Sequence, residues 1–227
     1  MDAITKVFDS IQLPDLDYPV HAGVAAVAAL GTAYLLFGGK RHLRIQPEKC
    51  IIVITGCDSG FGLMSCKKLS KMGYLVVAAC LQADSVVALK DTVALAVQCD
   101  ITKEADVSRL VQQTEDLAAK RKAVLWTVVN NAGVANSGNI DWISSSACRK
   151  VMEVNFFALF EVTRAFLPML KKTKDSRVIN ISSMAGFVGS YQMGVYCGEC
   201  MSTVRNSSHT VLLTNLLTLL FSSDFSL

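Results

Sequence analysis

The sequence has little charge for its length. Only 18% of its 227 residues are Asp, Glu, Lys or Arg, whereas 52% are hydrophobic. An average soluble domain carries about 25% charged residues. The formal net charge is only +3 and the basic residues are scattered, which excludes the concentrated positive surface that nucleic-acid binding needs. We therefore expect small molecules and lipid as partners, and a chain of this length fits one large domain.

The eight cysteines lack the regular spacing of a disulfide framework. Several, such as Cys50, Cys80 and Cys99, lie inside apolar runs, where a thiol acts as a small buried hydrophobe. We therefore expect reduced, unpaired cysteines in a chain that faces the cytosol. Cys197 and Cys200 have the C-x-x-C spacing of redox and zinc sites, but zinc needs two further ligands, so no metal site is expected.

The glycine-rich stretch at residues 50–62, CIIVITGCDSGFG, lacks two familiar nucleotide signatures. Its spacing is Gly56-x-x-x-Gly60-x-Gly62 and not G-x-G-x-x-G, and no Lys-Ser or Lys-Thr pair follows, as it would in a Walker loop. It does contain an apolar β-branched run that stops at Gly56 and is followed by a helical pattern. A strand, a glycine turn and a helix N-terminus form a site for a pyrophosphate group, because glycines allow close backbone approach and free N–H groups favour negative charge. An ordinary strand-to-helix turn is the alternative.

Residues 20–37 contain no formally charged side chain. As a helix they would span about 27 Å, just enough for a bilayer. The preceding segment is acidic, whereas Lys40, Arg41 and Arg44 follow, so the positive-inside rule places the downstream domain on the cytoplasmic face. A cleaved signal peptide and a buried core helix are the alternatives. We predict an N-terminal flank at 1–19, a transmembrane anchor at 20–37 and a linker at 38–48.

Downstream of the linker, apolar strands alternate with helical segments. Strands are predicted at 51–55, 74–80, 93–99, 124–129 and 177–181, and helices at 63–72, 84–90, 103–120 and 141–172. Because the strands are apolar throughout, the pattern predicts an α/β fold, a doubly wound parallel sheet covered on both faces. The polar motifs follow the strands, at the sheet edge where such folds bind ligands.

The chain resembles the short-chain dehydrogenase/reductase family over about residues 48–198. The resemblance is carried, in order, by T-G-C-D-S-G-F-G at 55–62, Asp100, N-N-A-G at 130–133, Asn155, Ser183 and Tyr196. T-G-C-D-S-G-F-G and V-V-A-A-C-L are similar to the membrane-anchored branch with retinol and hydroxysteroid dehydrogenases, to which D-β-hydroxybutyrate dehydrogenases are close. The resemblance implies a Rossmann-like fold and an NAD(P)-dependent dehydrogenase that acts on CH–OH groups.

A dinucleotide site follows from this resemblance. Its implied cofactor-binding residues are Gly56, Asp58, Ser59, Gly60, Phe61, Gly62, Asp100, Asn131, Ala132 and Gly133. The three glycines would surround the pyrophosphate, Asp100 would accept from the adenine amino group, and Asn131 would hold the end of the fourth strand. Ordinary caps and turns are the alternative for Asp100 and Asn131. The negative charge of Asp58 and the lack of a cation at 81–84 favour NAD, with NADP as the less favoured cofactor.

The resemblance also implies the catalytic residues. Tyr196 would be the base, Ser183 would hydrogen-bond the substrate oxygen, and Asn155 would position a water molecule. A free tyrosine has a pKa near about 10 and needs a nearby cation to ionise near neutrality. The family has a lysine four residues after the tyrosine. Cys200 stands at that position here and cannot supply the positive charge.

The tail at 199–227 departs from the family pattern. After Glu199 it contains no lysine and no glycine, and it shows no strand–helix–strand order. We therefore expect the family's next helix and last strands to be missing and the fifth strand to form an open sheet edge. The apolar run at 211–221 is expected to pack on that edge or to lie in a membrane interface.

These observations lead to one functional expectation and one alternative. The expected protein is an NAD-dependent oxidoreductase, with its catalytic domain at 49–198, that interconverts a lipophilic alcohol of retinoid or steroid type and its carbonyl. The alternative is a catalytically silent, truncated form that retains part of the nucleotide site. The expected location is the endoplasmic reticulum membrane with the domain facing the cytosol, and a mitochondrial membrane is the alternative. By the resemblance, a homodimer through the helix at 141–172 is also expected.

Overall fold

The computed structural model describes residues 46–139, 141–187, 189, 191–205 and 211–213. The chain divides into two compact units, Met1–Arg44 and Ile45–Leu227, and every described residue belongs to the second. The predicted flank, membrane anchor and most of the linker lie outside the described residues, as does most of the tail beyond residue 205. Within the described ranges, no helix has the length and apolarity that crossing a membrane requires.

Six strands form one parallel sheet in the order β3-β2-β1-β4-β5-β6. The strands are β1 Cys50–Thr55, β2 Leu75–Cys80, β3 Leu95–Gln98, β4 Val124–Asn130, β5 Arg177–Ile181 and β6 Val211–Leu213. The winding direction reverses between β1 and β4, so the sheet has the topological switch point of a Rossmann-like fold. The predicted doubly wound α/β class is confirmed.

The helices cover the two faces of this sheet. They are α1 Gly60–Lys71, α2 Ala83–Leu89, α3 Glu104–Arg121, α4 Ser145–Met152, α5 Leu159–Leu170 and α6 Gly194–Arg205. A π-helical segment, Glu153–Ala158, joins α4 to α5. The helix predicted at 141–172 is therefore present, but it begins later and changes its hydrogen-bond pattern in the middle.

Strand β1 lies at the centre of the core, and all six of its residues are buried. Ile51 and Val53 pack with apolar side chains of α3 and α5 on one face. Ile52 and Ile54 pack with α1 and α2 on the other. Because side chains alternate along a strand, an uninterrupted apolar run is what a strand buried on both faces requires. Each such side chain contributes about 1.5–3 kcal/mol on burial.

Two expectations for the C-terminal part are wrong. Helix α6 occupies Gly194–Arg205, where the family's helix was expected to be missing. Strand β6 pairs with Ile179–Ile181, so β5 is not an open edge. Glycine and β-branched residues weaken the helix propensity of α6, with Gly198 alone costing about 1 kcal/mol, but tertiary packing overrides such propensities. The apolar run that begins at Val211 supplies the strand that pairs with β5. Packing on this edge was one of the two positions expected for it.

Candidate functional site

The glycine turn joins β1 to α1 at the switch point of the sheet. Gly56 and Gly60 adopt φ angles of 68° and 54°, in the left-handed region that glycine tolerates best. A Cβ atom at Gly56 would lie 2.6 Å from the Cα of Ala132. A Cβ atom at Gly62 would lie 2.6 Å from Asn131 Nδ2 and would overlap the carbonyl oxygen of Gly56. The close approach of this turn to the end of β4 therefore requires glycine at 56 and 62.

Asn131 and Thr55 fasten the end of β4 to the glycine turn. Asn131 Nδ2 donates to the carbonyl oxygens of Thr55 and Gly56 at 2.9 and 3.1 Å. The Thr55 hydroxyl accepts from the backbone N–H groups of Asn131 and Ala132 at 3.1 and 3.0 Å. The sequence placed Asn131 at the site, whereas Thr55 was quoted only as the first residue of the glycine motif and was given no role.

Asp58 clamps the turn after β2 to the glycine turn. Its two carboxylate oxygens accept from the backbone N–H groups of Leu81 and Gln82 at 2.9 and 2.8 Å. The negative charge is thereby held in the gap between β1 and β2. Its structural task, the positioning of the loop before α2, was not expected from the sequence.

A cavity of about 760 Å³ opens along the carboxyl ends of β1, β2, β3 and β4. Of the ten predicted cofactor residues, eight line it: Gly56, Asp58, Ser59, Phe61, Asp100, Asn131, Ala132 and Gly133. Gly60 and Gly62 do not line it, although the lack of a side chain at Gly62 allows the turn to pack against Asn131. Two cations of α4, Arg149 and Lys150, also line the cavity and were missed, because nothing in the sequence connects α4 with the strand ends.

Asp100 follows β3 and begins a local turn. Its Oδ1 accepts from the hydroxyl and the backbone N–H of Thr102 at 2.7 and 3.1 Å, and Lys103 Nζ lies 3.5 Å from its Oδ2. The Thr102 hydroxyl and these other partners lower the pKa of Asp100 below its ordinary value, although partial burial opposes this. The carboxylate is therefore charged at neutral pH. It lines the cavity, and part of its accepting capacity serves the turn.

A second cavity of about 210 Å³ adjoins the first. The two share five lining residues: Phe61, Asn131, Ala132, Gly133 and Val134. Tyr196 and Asn155 line the second cavity. Ser183 does not line it, but it is close enough to Tyr196 to lower the pKa of that hydroxyl, against the larger effect of burial. The fold thus brings the three predicted catalytic residues together beside the predicted nucleotide cavity.

Asn155 lies in the π-helical segment and is almost completely buried. Its Oδ1 accepts from the backbone N–H of Val134, and its Nδ2 donates to the carbonyl oxygen of Val134, both at 2.8 Å. Nδ2 also donates to Glu199 Oε1 at 2.7 Å. Asn155 therefore connects the backbone of Val134, in the loop after β4, with the side chain of Glu199 on α6.

Cys200 stands at the position where the family has its lysine, and Glu199 precedes it on α6. Cys200 Sγ donates to Glu199 Oε1 at 3.2 Å, and both residues are buried. Burial, together with the neighbouring Glu199, raises the pKa of the Cys200 thiol to about 12. Burial also raises the pKa of Glu199, and burial followed by the nearby Cys200 raises the pKa of Tyr196. The site therefore holds Tyr196 in its neutral form, opposite to the effect of a lysine.

No metal centre is formed by the part of the chain that the structure describes, since no three His, Cys, Asp or Glu side chains there are grouped to hold an ion. Cys197 and Cys200 are free thiols. Cys57 and Cys66, beneath the glycine turn, are also free, with their sulfur atoms 3.1 Å apart.

A protein-family model described as short chain dehydrogenase matches residues 50–199. The mitochondrial D-beta-hydroxybutyrate dehydrogenase of Bos taurus is 35% identical over 153 residues, which cover 64% of this chain and 44% of that protein. Dehydrogenase/reductase SDR family member 9 of Homo sapiens is 39% identical over 169 residues, 71% of this chain and 52% of that protein. The chain spans about half the length of the curated relatives it matches.

Solved structures show the same fold. The 3-ketoacyl-(acyl-carrier-protein) reductase of Brucella melitensis, complexed with NADH, superposes with a TM-score of 0.63 at 25% identity, covering 69% of this chain and 66% of that one. A short chain dehydrogenase/reductase of Burkholderia phymatum, in complex with NAD, gives a TM-score of 0.64 at 23% identity, covering 75% of this chain and 66% of that one.

Proposed function

Because the chain belongs to the short chain dehydrogenase family, we propose that it is an NAD(H)-dependent oxidoreductase that interconverts a lipophilic alcohol, of retinoid or steroid type, and its carbonyl. The observation that carries the proposal is the shared wall of the two cavities. Tyr196 lines the smaller cavity, and the adjoining larger cavity is the volume that we propose a dinucleotide fills.

The residues of the larger cavity fit a dinucleotide. A Cβ atom at Gly56 or Gly62 would fill the space between the turn and β4. Ser59 makes no side-chain cap hydrogen bond at the start of α1. The first N–H groups of α1 are therefore not occupied by that side chain and, with the helix dipole, favour a bound anion. Gly56, Ser59 and Phe61 would hold the pyrophosphate, with Gly60 and Gly62 shaping the turn that carries them, while Asp100 would hold the adenine end and residues 131–133 the nicotinamide end. When bound, the nicotinamide ring accepts or supplies the hydride.

NAD is the proposed form of the cofactor, and NADP is the less favoured one. The fixed charge of Asp58 lies beside the turn after β2, where a 2′-phosphate would meet like charge. Arg149 and Lys150 come from α4 and not from that turn. The two solved structures described above contain NADH and NAD, which agrees with this choice.

Tyr196 exchanges the proton of the substrate oxygen in this proposal. Ser183 lies close enough to influence its pKa and would bond the same substrate oxygen. Asn155 holds the loop that carries Val134, and this loop forms part of both cavity walls. The raised pKa of Tyr196 makes the neutral phenol its resting form, so alcohol oxidation should speed up as the pH rises.

A catalytically silent, nucleotide-binding form is the second candidate. It is favoured by Cys200, because a buried thiol with a pKa near 12 cannot replace an ammonium group beside Tyr196. Loss of that charge would leave the glycine turn and the larger cavity intact. Binding and turnover therefore distinguish the two candidates.

The proposed partners are a lipophilic substrate, a membrane and a second copy of the chain. Membrane attachment through residues 20–37 would place the site near substrates dissolved in lipid, in the endoplasmic reticulum with the domain facing the cytosol or in a mitochondrial membrane. The half-exposed Phe157 and Phe160, beside a groove lined by α3 and α5, form the proposed dimer face. Sedimentation velocity would show a single monomeric species if this face is not an interface.

The decisive experiment measures NADH binding and turnover on the same purified chain. We expect saturable NADH binding and oxidation of a retinoid or steroid alcohol with NAD. Tyr196→Phe should lower turnover by about 10²–10⁴-fold and leave NADH binding unchanged. Tyr191→Phe is the matched control, because Tyr191 is 83% exposed. Binding without turnover would favour the silent form, and absence of binding would contradict both candidates.

A further inference from the structure

Tyr196, Glu199 and Cys200 all line the smaller cavity, together with Asn155. Tyr196 stands one helical turn before Cys200 on α6, and the neighbouring Ser183 and Cys200 side chains influence the pKa of Tyr196. Cys200 Sγ donates to Glu199 Oε1 at 3.2 Å, and Asn155 Nδ2 donates to the same oxygen at 2.7 Å. Asn155 and Cys200 are thereby bonded to one carboxyl group, and Tyr196 lies one helical turn from Cys200 in the same cavity wall.

That carboxyl group has no cation beside it. Glu199 is 3% exposed, and no Lys, Arg or His lines its cavity among the described residues. On its own helix it faces Tyr196 and Cys200, and across the cavity it faces the uncharged Asn155. Burial raises the pKa of Glu199, although the hydrogen bonds from Asn155 and Cys200 oppose this, so the carboxyl group favours its protonated form more than an exposed glutamate does.

Both hydrogen bonds to Glu199 end on Oε1, which accepts from the amide of Asn155 and the thiol of Cys200. Oε2 is therefore the oxygen on which we place the proton of the neutral acid. With its thiol hydrogen directed at Glu199, the Cys200 sulfur is left to accept from the side of Tyr196, which stands one helical turn earlier on α6.

We propose that Glu199 is the terminal proton carrier of this site, and that it exchanges protons with Tyr196 through Cys200 in place of the missing lysine. This rests on the proposed function. When a substrate hydroxyl gives its proton to Tyr196 Oη, Oη gives its own to Sγ, and Sγ gives its own to an ionised Glu199. One proton enters and one is taken up, so Tyr196 and Cys200 keep their proton count. In the reverse direction, neutral Glu199 supplies the proton.

The first test does not depend on turnover. Infrared spectroscopy of the full chain, compared with Glu199→Gln, should reveal a protonated-carboxyl band that persists at pH values well above the ordinary glutamate pKa of about 4.3 and that is missing from the variant. The matched control is Glu161→Gln, since Glu161 forms an exposed ion pair with Arg164 and should not affect the band. Absence of the band at pH 6 would overturn the proposal.

The second test addresses the connection through Cys200. The thiol donates to Glu199 and so stabilises the ionised form, and Cys200→Ala should therefore shift the midpoint of the carboxyl band to higher pH. This variant keeps Glu199 and remains informative if Glu199→Gln does not fold. An unchanged midpoint would show that Cys200 and Glu199 are not coupled and would overturn the relay.

The third test uses the pH profile of kcat/KM. Alcohol oxidation should rise as Glu199 ionises, at the midpoint found by infrared spectroscopy, and Glu199→Gln should lose that step. If the band and its shift are present but the wild-type chain has no turnover, the oxidoreductase proposal fails while the protonation of Glu199 stands. If turnover is present and its profile is the same in Glu199→Gln, the relay fails while the oxidoreductase proposal stands.

Discussion

Gly62 sets how closely the glycine turn approaches the end of β4. A Cβ atom there would meet both the Gly56 carbonyl oxygen and Asn131 Nδ2, two groups that are already hydrogen-bonded to each other. The contact is with backbone and with a fixed amide, so neither partner can move away without breaking the bonds that join β1 to β4. An added methyl group at position 62 would therefore distort the candidate nucleotide site itself.

Substitution of Gly62 by alanine should weaken the site more than its size suggests. We expect Gly62→Ala to lower the free energy of unfolding by about 1–3 kcal/mol, as overpacking does, and to abolish NADH binding in a fluorescence titration. Gly198→Ala is the matched control, because Gly198 lies exposed on α6 with no atom near its Cβ position. It should be neutral or slightly stabilising. Wild-type NADH affinity in Gly62→Ala would contradict this account of the turn.

Site residues could be predicted from the sequence only where neighbouring residues marked their position in the fold. Gly56 and Asn131 stand directly after apolar strands, and their positions at the sheet edge follow from that. Glu199 could not be found in this way, because its partner Asn155 lies 44 residues away. Asp58 was expected to act by its charge alone, yet it bonds a turn 23 residues later. Such contacts depend on how distant segments meet in the fold, so the local sequence pattern does not predict them.

At the scale of elements, strands were easier to predict than the ends and kinds of helices. Strand β5 has the predicted bounds, because a polar turn lies on each side of a short apolar run. The π-helical segment at Glu153–Ala158 was not foreseen, since one wider turn leaves the apolar pattern of a long helix almost unchanged. That segment carries Asn155, so the irregular turn lies at the candidate site.

Strand β6 is the element on which the sheet edge depends. It covers Ile179–Ile181, which would otherwise present unpaired N–H and C=O groups. A chain ended at Arg205 should therefore lose about 1–3 kcal/mol of unfolding free energy in urea, at about 0.5–1.5 kcal/mol per lost backbone hydrogen bond. It should also scatter more light at equal concentration. A chain ended at Leu213 keeps β6 and serves as the control, and equal behaviour of the two shortened chains would contradict a stabilising role for β6.

At the scale of the whole molecule, the fold class could be predicted because the sheet is covered on both faces. A strand such as β1, buried on both faces, must be apolar at every position, and that requirement is written in consecutive residues. The winding order and the cavities depend on how distant elements pack, so the composition constrains them only loosely. The low overall charge has a separate source in the sequence, because residues 20–37 contribute no formally charged side chain.

Residues 20–37 are expected to anchor the whole chain in a membrane, and this stays a prediction. The full chain, expressed in cells, should remain with the membrane pellet after alkaline carbonate extraction, whereas a chain that begins at Ile45 should be released. Ala29→Arg places a charge at the centre of the segment, costs insertion about 2.5–3.5 kcal/mol, and should also release the chain. Because Lys40, Arg41 and Arg44 follow the segment, added protease should digest the domain without detergent in sealed microsomes. Release of the full chain by carbonate, or a domain protected inside the vesicles, would refute the anchor or its orientation respectively.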